Sequence, residues 1–217
     1  MRRGNLKHLV LTVFMSGFTI NAYATGSGLY LGLMGGPATN TGNNQPIQVQ
    51  NSARTVMGTP KSKQFGSRAF VGYQINQYGA IEAGLWYFTG IKYNTHNVPT
   101  CAGPQLRIRD FDLLGKGMFP FGNFNVYGKA GAALVYQTKS GSLNPTGNTT
   151  CGKTVYVTKF RPTVSLGASY DLSPNWQVDV SANQIMVGSP ANNVITYALG
   201  FSYHFVTRYC GQFLCDD

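Results

Sequence analysis

The amino-acid sequence predicts an all-β chain closed as an eight-stranded antiparallel transmembrane up-and-down β-barrel. Three observations predict it. Eight stretches alternate large apolar residues with small or polar ones, a period of two that belongs to strands with one apolar face and one wet face. Long polar loops follow the first, third and fifth stretches, and short turns follow the second, fourth and sixth. Aromatic residues gather at both ends of the stretches. An even strand number with loops sorted by length is the pattern of outer-membrane barrels. Two soluble sheets packed as a sandwich have no physical reason to sort their loops in this way.

Residues 1–24 read as a secretory signal. Arg2, Arg3 and Lys7 precede the apolar run 9–20 (LVLTVFMSGFTI), and Ala22-Tyr23-Ala24 offers a cleavage site. The run is shorter than the roughly 20 residues of a spanning helix. The barrel is therefore expected over 25–205, followed by a short periplasmic tail over 206–217.

Residues 28–34 (GLYLGLM) open the alternation, with Leu29, Leu31 and Leu33 on one side. Residues 35–64 are rich in Asn, Gly, Thr, Pro and Ser, lack a sustained period and read as a long loop. The second strand, 64–75, puts Ala69, Val71, Tyr73 and Ile75 on one face and Arg68, Phe70, Gly72 and Gln74 on the other. Beyond the turn 76–79, the third strand runs over 80–93. Its apolar face includes Ile81, Leu85, Tyr87, Ile91 and Tyr93, and its other face Glu82, Gly84, Trp86, Phe88 and Lys92. Residues 94–105 form a loop holding Cys101. The fourth strand, 106–119, sets Phe111, Leu113 and Phe119 against Asp110, Asp112, Lys116 and Met118, and residues 120–123 make a tight turn.

The fifth strand, 125–138, has the apolar set Val126, Ala130, Ala132, Leu134 and Tyr136, and the loop 139–157 holds Cys151. The sixth, 159–170, shows Val164, Leu166, Ala168 and Tyr170 opposite Arg161, Thr163, Ser165, Gly167 and Ser169. After the turn 172–175 the seventh, 176–186, alternates Trp176, Val178, Val180 and Ala182 against Gln177, Asp179, Ser181 and Asn183. The eighth, 194–205 (VITYALGFSYHF), has the most regular alternation of all and closes on Phe205. Tyr73, Tyr170, Trp176, Tyr203 and Phe205 lie beside the short turns, and Tyr87, Tyr93 and Tyr136 toward the long loops. Tyr127 falls on the other face and breaks the pattern. Alternation alone leaves open whether the apolar face points out to lipid or in, as in a lipocalin; the two aromatic girdles favour lipid.

The segments LYLGLMGG, IEAGLWY, LLGKGMFPFG, VYGKAGAALV and TVSLGASYDLSPNW, with a final strand ending FSYHF, resemble the OmpA-type and opacity-type outer membrane barrels of Gram-negative bacteria. The resemblance implies a monomer in the outer membrane, surrounded by lipid and lipopolysaccharide. It also implies insertion by the barrel-assembly machinery, which reads a terminal strand such as Phe201, Tyr203 and Phe205. The chain departs from the pattern in continuing past Phe205 with VTRYCGQFLCDD, too short for a peptidoglycan-binding domain.

Charge is lopsided. Removing Arg2, Arg3 and Lys7 from the 17 basic residues leaves 14 against seven acids, about +7. The lumen-facing charges Glu82, Lys116, Lys129 and Asp179 are expected to pair, because a dry interior penalises lone charges. The resemblance implies that such a network plugs or gates the lumen, so a static plug and a narrow ion channel both stay open. Two carboxylates without a cleft do not make a glycosidase. Arg54, Lys61, Lys63, Lys139, Lys153 and Lys159 define a basic outer rim, with Arg68, Lys92, Arg107, Arg109 and Arg161 in or near it. Such a rim attracts polyanions: lipopolysaccharide phosphate in the same leaflet, or a host glycosaminoglycan. Nucleic acid would not meet this surface.

The four cysteines suit disulfides in an exported chain. Cys101 and Cys151 sit in loops on one side of the membrane, and Cys210 and Cys215 on the other, so cross-pairing would contradict the barrel. No CxxC pair or His cluster suggests a metal, and no cofactor is expected. The mature chain has only His96 and His204, neither beside a nucleophile and an acid. An enzymatic role such as lipid A modification is therefore not expected, and a structural or adhesin-like surface role is.

Overall fold

The structure is a computed structural model that describes residues 27–95, 99–101, 103–145, 151–205, 209–210 and 213–214. The expected signal (1–24), His96 and Cys215 lie outside the described residues. The described residues form thirteen strands: β1 (Gly28–Asn40), β2 (Gln45–Gln48), β3 (Thr55–Pro60), β4 (Lys63–Asn76), β5 (Gly79–Phe88), β6 (Ile91–Asn94), β7 (Gln105–Phe121), β8 (Phe124–Lys139), β9 (Val155–Asp171), β10 (Trp176–Gly188), β11 (Asn192–His204), β12 (Tyr209–Cys210) and β13 (Phe213–Leu214).

Eight of them close on themselves. The antiparallel order β1–β4–β5–β7–β8–β9–β10–β11 returns to β1, whose Leu33 stands opposite Phe201 of β11 and Ala69 of β4. Closure leaves no free edge in the wall, the condition for backbone to cross hydrocarbon. Register follows from the pleat. A one-residue slip would turn every apolar side chain inward, so the alternation and the hydrogen-bond ladder specify each other.

Leu33, Leu85, Leu113, Leu166, Tyr197 and Phe201 are all more than half exposed, whereas Glu82, Arg68, Asp112, Lys129 and Asp179 are buried. The molecule is apolar outside and charged inside, so the outer face is solvated by lipid and the lipocalin orientation is excluded. The turn-side girdle is present: Tyr73, Tyr170, Trp176 and Phe205 project outward, and Tyr203 packs edge-on against both Trp176 and Phe205 at 5.1 Å.

Three expectations need correcting. Residues 35–64 are not one polar loop: β1 extends to Asn40, β4 begins at Lys63, and between them β2 and β3 form a hairpin that pairs through β3 with β6. A four-residue strand holds too few alternations to show a period, and Pro46 further masks it. Second, the alternation of the third strand slips at Thr89-Gly90. β5 ends at Phe88, and in β6 Ile91 and Tyr93 are buried while Lys92 is exposed, the reverse of the expected faces. Tyr93 therefore leaves the outer girdle. Third, Arg68 belongs to the lumen and not to the rim, with 2% of its surface exposed.

Smaller shifts concern strand ends. β7 continues through Pro120, and the turn is Gly122-Asn123, where Gly122 takes φ 67°, a value that glycine adopts without a Cβ clash. β9 starts at Val155, shortening the loop before it, and the β10–β11 connection is short and holds a cis Ser189–Pro190 bond. β12 pairs with β13 beyond the barrel.

Candidate functional site

The lumen is filled from the turn end upward. At the base, Asp171 of β9 accepts hydrogen bonds from Gln177 (2.6 Å) and Asn125 (3.4 Å). Above it the Tyr30 ring stacks on His204 with centroids 4.7 Å apart, and the Tyr127 hydroxyl donates to Asp179 at 3.2 Å. Glu82 sits at the centre. Its Oε2 receives Arg68 Nη1 at 3.0 Å and Lys129 Nζ at 2.8 Å; its Oε1 takes the Tyr30 hydroxyl at 2.9 Å and faces Lys116 Nζ at 3.7 Å. Arg68 then spans to Asp112 in a two-pronged contact, Nε–Oδ2 3.0 Å and Nη2–Oδ1 2.5 Å.

Lys116 and Lys129 stand directly opposite each other on β7 and β8, a repulsive pairing in isolation. Glu82 between them offsets it. So does the face of Tyr127, 4.5 Å from Lys116 Nζ and 4.8 Å from Lys129 Nζ, through cation–π attraction. Arg68 lies 5.0 Å from the Phe70 ring centre. Two glycines make the room. A Cβ on Gly72 would overlap the Tyr30 ring, and one on Gly84 the Arg68 guanidinium. Above the ion cluster the lumen turns apolar, with Phe88, Ile91, Leu106, Ile108, Val135 and Val187 buried beneath the Ile47 of the β2–β3 hairpin.

Of the lumen charges predicted from the sequence, Glu82, Lys116 and Lys129 come together, and Asp179 joins through Tyr127 rather than through a cation. Arg68, Asp112 and Tyr30 were missed as members. Their signal is face parity: each falls on the inward face of its alternating strand, as Glu82 does, but the nearness of Arg68 to the loops reads as rim. Asp110 is buried beside this cluster, and neither of its carboxylate oxygens has a hydrogen-bond partner.

The long-loop end is knitted into a raised wall. Lys61 N–H donates to Lys92 O at 2.8 Å, Cys101 N–H to Gln48 O at 3.3 Å, and Val49 bridges Thr100. Cys101 and Cys151 are disulfide-bonded with Cα atoms 5.5 Å apart, tying the second long loop to the third. Reducing this bond is expected to leave the folded gel mobility of the barrel unchanged, because the wall closes without it. Trypsin should then cut after Lys153 several-fold faster in a timed digest, since loop ends released from a tie are the preferred sites of nicking.

Charge is sorted completely among the described residues. All five carboxylates, Glu82, Asp110, Asp112, Asp171 and Asp179, are buried within the barrel. Arg54, Lys61, Lys63, Lys92, Arg107, Arg109, Lys153 and Lys159 are exposed, and Lys139 and Arg161 half-buried. Every one of these cations lies in the long-loop half of the barrel or in those loops. At the opposite end, Phe201, Tyr203 and Phe205 form the outward row of the closing strand region, and the Phe205 N–H donates to Leu29 O at 2.8 Å. His204 is buried in the Tyr30 stack with no hydrogen-bond partner at Nε2.

Comparison with known proteins agrees with this architecture. A family model described as an outer membrane protein beta-barrel domain matches residues 10–205. An uncharacterized protein of Coxiella burnetii is 27% identical over 176 residues, covering 68% of this chain and 71% of its own length. The crystal structure of neisserial surface protein A superposes with a TM-score of 0.56 at 16% identity, covering 82% of this chain and 98% of that one. At that identity the likeness shows a shared fold.

Proposed function

Because the chain belongs to the family of outer membrane proteins with a β-barrel domain, we infer that it is a lumen-plugged barrel whose cationic extracellular end docks polyanions. The observation that carries the reading is the charge sorting. Cations with no exposed carboxylate among them produce a single-sign field at the barrel mouth, which raises the local concentration and the on-rate of anionic partners. The field is strongest within a Debye length of roughly 8 Å at physiological salt, so a flexible sulfated polysaccharide that lays many charges along the rim gains most. The knitted wall supports this by holding the cations in a fixed array, lowering the ordering cost of binding.

The plug argues for display over transport. Glu82 and Arg68 are buried within the barrel, and the apolar residues crowded above them support a plug. Binding rather than catalysis also suits His204, whose ring is buried and stacked on Tyr30. Membership of this family supports the same route of delivery: export through residues 1–24 and insertion by the barrel-assembly machinery at Phe201, Tyr203 and Phe205.

The test is heparin binding by the refolded full chain, before and after neutralising four rim lysines together (Lys61→Gln, Lys63→Gln, Lys139→Gln, Lys153→Gln). The affinity at physiological salt is expected to fall about tenfold or more, with a shallower salt dependence, as for any polyelectrolyte contact. Unchanged retention on a heparin column would remove the reading.

A further inference from the structure

A groove of about 710 Å³ opens on the outer wall across β5, β7, β8 and β9, lined by Leu85, Tyr87, Arg107, Arg109, Tyr136 and Tyr156, with Asp110 also at its lining but 2% exposed. Its side chains are set by register. Tyr87 stands opposite Arg109, Arg109 opposite Tyr136, and in the next outward row Arg107 faces Thr138, which faces Tyr156. The Arg109 guanidinium lies 5.2 Å from the Tyr87 ring centre, which holds it against the wall. Neither arginine has a carboxylate within ion-pair reach among the described residues, since all of those carboxylates are buried inside the barrel.

The position decides the ligand. Below Arg109 the outward residues of β7 are Phe111, Leu113, Gly115, Gly117, Phe119 and Phe121. At ~3.4 Å per residue and a tilt of ~35–45°, that run rises roughly 25 Å, the height of the apolar band of an outer-membrane barrel. Arg109 and Arg107 therefore stand just above the hydrocarbon, at headgroup level, with Leu85 and Phe111 beneath them. A planar guanidinium pair matches phosphate oxygens in a two-pronged fashion, and tyrosine hydroxyls supply further donors. A soluble polyanion would leave the apolar floor uncovered. We propose that this groove binds the phosphate of an acylated, phosphorylated glycolipid of the outer leaflet, with its acyl chains along Leu85 and Phe111. The site rests on the outer-membrane placement of the barrel and is separate from the polyanion-binding rim.

The test is native mass spectrometry of the detergent-solubilised full chain with added bisphosphorylated lipid A. Each arginine at this level contributes roughly a fivefold factor, so the double variant Arg107→Gln/Arg109→Gln should bind about twentyfold more weakly. Dephosphorylated lipid A should bind the unaltered protein as weakly. The variant Lys61→Gln/Lys63→Gln/Lys153→Gln should keep full lipid A affinity even where heparin binding is lost, which separates the groove from the rim. Should the double variant not fold, Arg107→Gln alone carries the same sign at about fivefold. The proposal is overturned if the arginine variants bind lipid A as tightly as the unaltered protein, or if the dephosphorylated lipid binds equally well. Inorganic phosphate binding as tightly as lipid A would overturn the lipid assignment.

Discussion

Replacing Glu82 with alanine is expected to destabilise the barrel by about 3–5 kcal/mol, the cost of leaving buried charge uncompensated. Glu82 is the carboxylate that Arg68, Lys129 and Lys116 share, and its side chain is fully buried. Its loss leaves Lys116 and Lys129 facing each other across β7 and β8, with aromatic faces alone to moderate them: Tyr127 for both, Tyr30 for Lys116 and Phe70 for Lys129. It also removes the acceptor of the Tyr30 hydroxyl. Urea unfolding of the refolded barrel in lipid vesicles, read by loss of the heat-modifiable gel band, measures the effect. Removing Lys116 should cost less, because its 3.7 Å contact is the longest in the cluster and Glu82 keeps two closer cations. A Glu82→Ala loss below about 1 kcal/mol would mean that water replaces the carboxylate, and the lumen would then be wet enough to conduct in a planar bilayer.

The second large effect concerns the other side of the network. Arg68→Met should cost about 3–5 kcal/mol, because Asp112 then loses its two-pronged partner in a dry lumen and stands next to the already unpartnered Asp110. Adding Asp112→Leu should restore most of that stability, since a buried ion pair replaced by apolar residues of similar volume is often neutral or better. The same urea titration of the two variants checks it. If the double variant is no more stable than Arg68→Met alone, the damage comes from the contacts of Arg68 with Phe70 and Gly84 rather than from the stranded acid.

Which parts of the fold were legible in the sequence follows from how long each signal runs. The wall strands repeat their two-residue period through many residues, so their number, their faces and the inward acids could all be read. Thr89-Gly90 could not. A break that shifts the pleat by one residue has no compositional mark beyond a glycine, and it inverts everything after it, which is why Lys92 and Tyr93 traded faces. Arg68 shows a different limit. Its parity pointed inward, but a long cation near the end of a strand reads as rim unless the depth of its acidic partners is known, and Asp112 and Glu82 meet it only because positions on the neighbouring strands β4, β5 and β7 converge. The rim cations needed no three-dimensional information beyond knowing which loops share a side. The Arg107–Arg109 groove needed the β5–β7–β8–β9 register, which brings three tyrosines from distant segments to adjacent rows.

The exchange of inside for outside also inverts which positions tolerate substitution. In a water-soluble protein the aliphatic residues are held in a close-packed interior, and their shapes matter to within a methyl group. Here Leu33, Leu85, Leu113 and Leu166 press against a fluid that reshapes itself around them. Leucine, valine, isoleucine and phenylalanine should exchange at these sites with little penalty, and only charge should be refused, at about 2–4 kcal/mol near the membrane midplane. The shape-sensitive positions are instead glycines and polar groups: Gly72 under Tyr30, Gly84 under Arg68, and Glu82 among its cations. Among relatives of this chain, variation should therefore concentrate on the apolar stripe, and the lumen should drift slowly, with partners changing together.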